Sequence, residues 1–282
     1  MIRKVFLVDA LIDGPFSGVP THVVFLDAPM DKFKMLSLAN ELGSSQTVYV
    51  LLHDQAAYLL RFFSQTHELP LGVHSCHAAA HLIYELGFSP PDDPLIFLTQ
   101  EREVSASRVQ SDQTKIKLTT HPINKMDQNN VNLYCDILGL NPKTVVWSAM
   151  TQNRQAIIAV DNTIQLRRLT PDATKLLNSG AMVLAVTSQD HGGSDYCLRC
   201  FASNLLNPEH QASGGIHRYL APQWGRLLQK TRLQAKQLSH RGGLVQLDLS
   251  EPDFLIITAK SQTVLRADLV FEFTDEHAST PR

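Results

Sequence analysis

What most restricts the fold of this chain is a local arrangement that occurs twice. In the first half, Leu71-Gly72-Val73-His74-Ser75 opens the helical run 76–86, which stops at Gly87. In the second, the segment from Leu205 to Trp224 passes from a polar, glycine-rich turn into an amphipathic helix. Such a turn leaves backbone N–H groups unpaired at the positive end of a helix, which suits an anion. Two copies predict two similar halves that address one small anionic ligand.

Around these helices both halves follow one order: strands, a helix, strands, a central helix, strands. Short apolar and β-branched stretches predict strands at 5–8, 23–26, 47–52, 58–63, 95–99 and 115–118, and 30–42 reads as a helix stopped by Gly43. The second set comprises strands at 144–147, 155–160, 182–187, 196–201, 245–249, 254–258 and 268–273, with helices near 171–177 and 215–229. Between the sets, the polar stretch 124–132 reads as an interdomain linker. The expected fold is mixed α/β, in two pseudo-symmetric domains of residues 1–122 and 123–282 with a cleft between them. The last strand is allowed to cross back to the first domain, and the tail 276–282 is expected to fray.

Composition narrows the function. With 44% hydrophobic residues and a net charge of -2, the chain has enough apolar material for a full core and no basic patch that would track nucleic-acid phosphates. No uncharged apolar run reaches the ~18 residues of a membrane span. The first residues read as a strand rather than a signal peptide, because Asp9 and Asp13 interrupt the apolar stretch. Four scattered cysteines, Cys76, Cys135, Cys197 and Cys200, do not make a disulfide scaffold and point to a reducing, cytoplasmic setting. Cys197 and Cys200 lie three apart in a strand-like run, facing opposite sides, and read as packing thiols.

Five segments carry a resemblance in register along the chain. They are Val8-Asp9-Ala10 with 13–20; 42–50; 61–69 with 71–81; 209–224; and Gln237-Leu238-Ser239-His240-Arg241-Gly242-Gly243. In these the chain resembles the phenazine-biosynthesis PhzF-like family, kin by fold to diaminopimelate epimerase and proline racemase. The resemblance implies two diaminopimelate epimerase-like domains, each a curved sheet around a central helix, an active site in the cleft, and a homodimer. It also implies isomerisation of trans-2,3-dihydro-3-hydroxyanthranilate without metal or organic cofactor. There a Glu in a Ser-Glu-Thr stretch moves a proton between ring carbons, assisted by the His of Cys-Gly-His and an Asp of Glu-Asp-Pro.

The pattern departs from the family where the chemistry belongs. Ser45-Gln46-Thr47 puts an amide in place of the carboxylate, and an amide has no titratable oxygen. Gly72-Val73-His74 keeps the histidine but gives the preceding position a β-branched side chain, and Glu209-His210-Gln211 exchanges the Asp for an imidazole. Gly18-Val19-Pro20-Thr21 replaces Gly-Asn-Pro-Ala. The two cysteines of racemase-type relatives map onto Gly72 and Ala212, which removes cysteine-pair racemisation.

The candidate catalytic residues are therefore His74, His210 and Gln46. Val73, Val19, Ser213, Gly214 and Gly215 are the candidate substrate contacts, the last three through consecutive N–H groups suited to a carboxylate. His74, His77 and His81 share a helical face, but over two turns they do not converge on one ion, and neither metal nor cofactor is expected. Two functions fit: an isomerase or epimerase of altered catalytic residues acting on a small cyclic carboxylate, or an inactive member that binds a small ligand or serves as a scaffold. Neither reading involves nucleic acid or a membrane.

Overall fold

The computed structural model describes residues 4–54, 57–202, 209–211 and 213–270. By packing these form two compact units, one up to Lys117 and again from Thr258, the other Leu118–Ile257. The break thus precedes the expected one at 122/123, and the residues from Thr258 group with the first unit.

The early part of the chain supplies β1 (Lys4–Ala10), β2 (Val19–Leu26), α1 (Lys32–Leu42), β3 (Gln46–Asp54), β4 (Ala57–Phe63), β5 (Glu68–Leu69), α2 (Val73–Glu85), β6 (Leu95–Leu98), β7 (Glu103–Gln110) and β8 (Gln113–Thr119). Next come β9 (Asn124–Lys125), α3 (Gln128–Leu138), β10 (Val145–Met150), β11 (Gln155–Val160), α4 (Thr163–Arg167), α5 (Ala173–Asn178) and β12 (Val183–Gln189). They are followed by β13 (Tyr196–Ala202), β14 (Glu209–His210), α6 (His217–Leu228), β15 (Arg232–Gln237), β16 (Gly243–Asp248) and β17 (Phe254–Asp268), which begins in the second unit and ends in the first.

The first unit is organised by α2. Its Ala78-Ala79-Ala80 run lets neighbouring backbones approach closely, and every residue from Ser75 to Tyr84 is buried. A helix buried on all sides needs strands all round it. They run antiparallel from β1 to β2, parallel to β3, antiparallel to β4, parallel to β6, then antiparallel through β7 to β8. β17 pairs with β1 on one side and β8 on the other, so the ring closes. The buried polar group His77 is met by Thr114 of β8, Nδ1 to Oγ1 at 2.8 Å.

Outside the ring, α1 starts at Asp31, whose carboxylate accepts from the N–H groups of Phe33 and Lys34, and stops at Gly43 in a left-handed conformation of φ +70°. Its Met35, Leu38 and Ala39 pack on Val5, Val24, Tyr49 and Phe63.

The second unit repeats the plan. β10 and β11 run antiparallel, β11 and β12 parallel, β12 and β13 antiparallel, β13 and β15 parallel, β15 and β16 antiparallel. α6 packs against β15. Trp224 of α6 stacks on Tyr196 and donates its indole N–H to Thr187, while Tyr196 Oη lies 2.6 Å from His217 Nδ1. One core joins Met126 and Val131 to residues of α3, α4, α5, β11, β12 and β13.

Three sequence expectations need correction. The stretch 124–132 is β9 and the first turn of α3, capped by Asp127 and anchored in that core by Met126 and Val131, so it is not a linker. The separate strands at 254–258 and 268–273 are one long strand as far as Asp268, and residues 271–282, including the tail, lie outside the described residues. β7 and β15 were not expected, because each holds only two apolar residues among its first four, one of them an alanine, set among polar ones: Val104 and Ala106, or Leu233 and Ala235.

Candidate functional site

In the first unit the candidate residues gather where β3 begins and α2 starts. Gln46 pairs in register with Thr21 of β2, and its carboxamide turns onto the helix start, where the Ser75 hydroxyl donates to Gln46 Oε1. Gly72 precedes the helix with an ordinary extended backbone, φ −124°, and no side-chain cap. Glycine is needed there for space. A Cβ on Gly72 would fall on Gln46 Oε1, 2.9 Å from Gln46 Cδ and 3.0 Å from Phe62 Cδ1. Val73 is buried, His74 is half-buried, and Gln46 and Ser75 are buried. Burial foremost, with the neighbouring His74 second, drives the His77 imidazole down to a pKa of about 3. Val19 opens β2, buried and paired with Ala10.

In the second unit, Gln237 decides the arrangement. Its Nε2 donates to the His210 carbonyl at 2.6 Å, and its Oε1 accepts from the Ser213 N–H at 2.9 Å, so one buried carboxamide spans the turn. The Ser239 hydroxyl adds a bond to the Gln211 carbonyl. The Ser213 N–H is therefore engaged and is not open to a ligand, contrary to the sequence reading. Gly214 and Gly215 give their carbonyls to the N–H groups of His217 and Arg218, forming the first turn of α6. Their own N–H groups have no acceptor among the described residues. His210 pairs with Cys200, and the desolvation around its ring lowers its pKa, which leaves the imidazole neutral at pH 7 and able to accept a proton.

A second duplication holds both turns. The runs Tyr58-Leu59-Leu60-Arg61-Phe62-Phe63 and Tyr196-Cys197-Leu198-Arg199-Cys200-Phe201 share Tyr, Leu, Arg and Phe at the same spacing. Arg61 grips Glu68 of β5 with two bonds of 2.7 and 2.9 Å, and Arg199 grips Glu209 of β14 with two of 2.6 and 2.9 Å. Each guanidinium also stands over the Phe two residues on, at 5.4 and 4.9 Å from the ring centres. The hydrogen bonds from Arg61, outweighing desolvation, hold the Glu68 carboxyl below its ordinary pKa. Gln237 and the Arg–Glu pairs escaped the sequence reading, although the repeated hexad was visible in it.

Among the described residues no three His, Cys, Asp or Glu side chains gather to hold a metal ion, and no helix is long and apolar enough to cross a membrane. All four cysteines are buried thiols, and burial pushes Cys197 up to about 12. Tyr219, Leu220 and Trp224 belong to the core.

A strand ring on a buried helix in the first unit, and the same strand order beside α6 in the second, with an imidazole near each helix start, define the two-domain fold of the diaminopimelate epimerase and proline racemase class. That fold recurs at a TM-score of 0.61 and 10% identity in a hydroxyproline epimerase from Agrobacterium vitis, over 95% of this chain and 93% of that one. Within the class, the chain belongs to the phenazine biosynthesis-like protein family, whose profile matches residues 8–264. It is 30% identical over 275 residues to an uncharacterized isomerase of Halalkalibacterium halodurans, covering 96% of this chain and 99% of that protein. It also superposes on a PhzF family protein of Enterococcus faecalis with a TM-score of 0.87 at 22% identity, over 96% of this chain and all of the other.

Proposed function

We propose that the chain is an isomerase or epimerase that transfers a proton, without metal or organic cofactor, on a small cyclic carboxylate such as trans-2,3-dihydro-3-hydroxyanthranilate. The observation that carries this reading is the His210 imidazole, kept neutral by its surroundings, within a few residues of the Gly214 and Gly215 N–H groups, which have no acceptor among the described residues. Those N–H groups hold the substrate carboxylate. Neutral His210 takes a proton from carbon, His74, protonated beforehand from solvent, returns one to a second carbon, exchange with water resets both rings, and no net oxidation occurs. Gln46 hydrogen-bonds the substrate, with Val73 and Val19 beside it. The family resemblance adds a homodimer working in the cytoplasm.

Incubation with dihydro-hydroxyanthranilate and related cyclic amino acids in deuterated water tests the reading. Deuterium entering a ring carbon is expected, and its absence from every one of them would overturn it. A second reading is favoured by the carboxamide of Gln46, which has no titratable oxygen where the relatives described above use a Glu: the chain binds its ligand without turning it over. The double change Gln46→Glu with His210→Asp separates the two. Turnover by the native chain that exceeds the double variant's removes the binding-only reading.

A further inference from the structure

Resting on the reading that Gln46 lines the ligand site, we infer that Gln46 selects ligands presenting a hydrogen-bond acceptor at its position, and that Ser75 is the positioning residue that imposes this choice. The carboxamide has two ends, and three features fix which one turns inward. The buried Ser75 hydroxyl donates to Oε1. Oε1 occupies the place of the missing Gly72 Cβ, against the Cα hydrogens, where an oxygen makes a weak attractive contact and an NH2 group would press hydrogen on hydrogen. The start of α2 is the positive end of its helix and attracts the oxygen.

With Oε1 held, Nε2 is the end left over, and it makes no hydrogen bond among the described residues. Gln46 is 6% exposed as a whole, so an acceptor that reaches Nε2 gains its hydrogen bond in largely desolvated surroundings. A carbonyl, ether or carboxylate oxygen satisfies it, whereas a ligand N–H or O–H directed at it sets donor against donor. The site thus discriminates by polarity at a place where a carboxylate would accept. Gly72 is part of the device, since any side chain there would expel the carboxamide.

Two measurements on the full chain test this. Calorimetric titration at pH 7 compares furan-2-carboxylate, whose ring oxygen accepts, with pyrrole-2-carboxylate, whose ring N–H donates. The native protein is expected to bind the furan at least tenfold tighter, Ser75→Ala to bring the ratio within about threefold, and Gln46→Glu to reverse it. Equal or tighter binding of the pyrrole by the native protein overturns the inference. Independently of any ligand, NMR reads the Gln46 side-chain NH2 protons, which are expected to show no cross-relaxation with the Ser75 Hβ protons. Strong cross-peaks to Ser75 Hβ and Gly72 Hα would mean the reversed amide and overturn the inference even if neither acid binds. Failure of deuterium exchange defeats the isomerase reading and leaves this ratio untouched; a wrong ratio beside active exchange defeats only the role given to Gln46.

Discussion

A carboxamide can hold a backbone carbonyl and a backbone N–H together, and Gln237 does so across the turn from His210 to Ser213. Gln237→Leu keeps much of the volume and strands both backbone groups, at a cost of about 2–4 kcal/mol in urea unfolding. Gln237→Glu still accepts from Ser213 but sets a carboxylate against the His210 carbonyl. The expected sign is an upward shift of the His210 pKa by NMR, because a nearby negative charge favours the imidazolium. An unmoved His210 titration in a folded Gln237→Glu protein would show that the clamp does not reach the imidazole. At this scale the sequence revealed residue types and motif positions, including Gln46 in place of a Glu. It did not reveal that the Ser213 N–H is taken, because the partner lies on β15, a strand whose polar alternation hid it.

Among the elements, β5 and β14 are two residues long, too short to hold themselves by ladder bonds. The Arg61–Glu68 and Arg199–Glu209 pairs hold them, and the first also draws Lys32 to 3.1 Å from Glu68. Glu68→Gln leaves Arg61 without its carboxylate and should cost about 2–3 kcal/mol. The pH dependence has a definite sign. Glu68 has a folded pKa below its unfolded value of about 4.3. Its contribution is therefore complete above that value and is lost as pH falls through the folded one. Native and Glu68→Gln proteins should thus converge in stability in thermal melts once pH has fallen through the folded Glu68 pKa, and a gap that stays constant over the whole acid limb would rule the ion pair out as the source. Elements with end signals were the legible ones. Asp31 and Gly43 framed α1, and Asp31→Ala should cost about 1 kcal/mol. α3 was missed although Asp127 caps it, since its polar first turn has the composition of a loop.

On the scale of the whole molecule, two imidazoles sit inside the two units, His77 against Thr114 and His217 against Tyr196, each with a pKa driven by burial to about 3. Unfolded, each titrates near 6.5, so the folded state binds fewer protons between these values. Stability is full above pH 6.5 and falls as pH drops toward 3, by about 2–3 kcal/mol for each histidine at pH 4.5. That is a large share of an ordinary 5–15 kcal/mol. Acid unfolding should accordingly begin between pH 6 and 5, before the carboxylates titrate. His77→Gln, at some cost in packing, should flatten this limb of the curve, and an unchanged slope would assign the transition to other groups. The twofold plan itself was readable from the repeated order of strands and helices. The return of the last strand to the first domain was allowed for, but not that it closes the ring by pairing with both β1 and β8, because those partners lie far from it in the chain.

That closure also sets a timetable for synthesis. When a ribosome has released residues up to Lys117, the first unit still lacks the strand that pairs with both β1 and β8, whereas the second unit is complete once Ile257 has emerged. The half translated first is the half finished last. A fragment ending at Lys117 should therefore stay unfolded and protease-sensitive. Moving residues 258–270 ahead of Lys4 through a short turn, across the register in which Asp268 already faces Lys4, should let that half fold alone. Dispersed amide spectra from the rearranged fragment, beside collapsed ones from the simple truncation, are the expected outcome, and a folded truncation would show that the ring stands without its last strand.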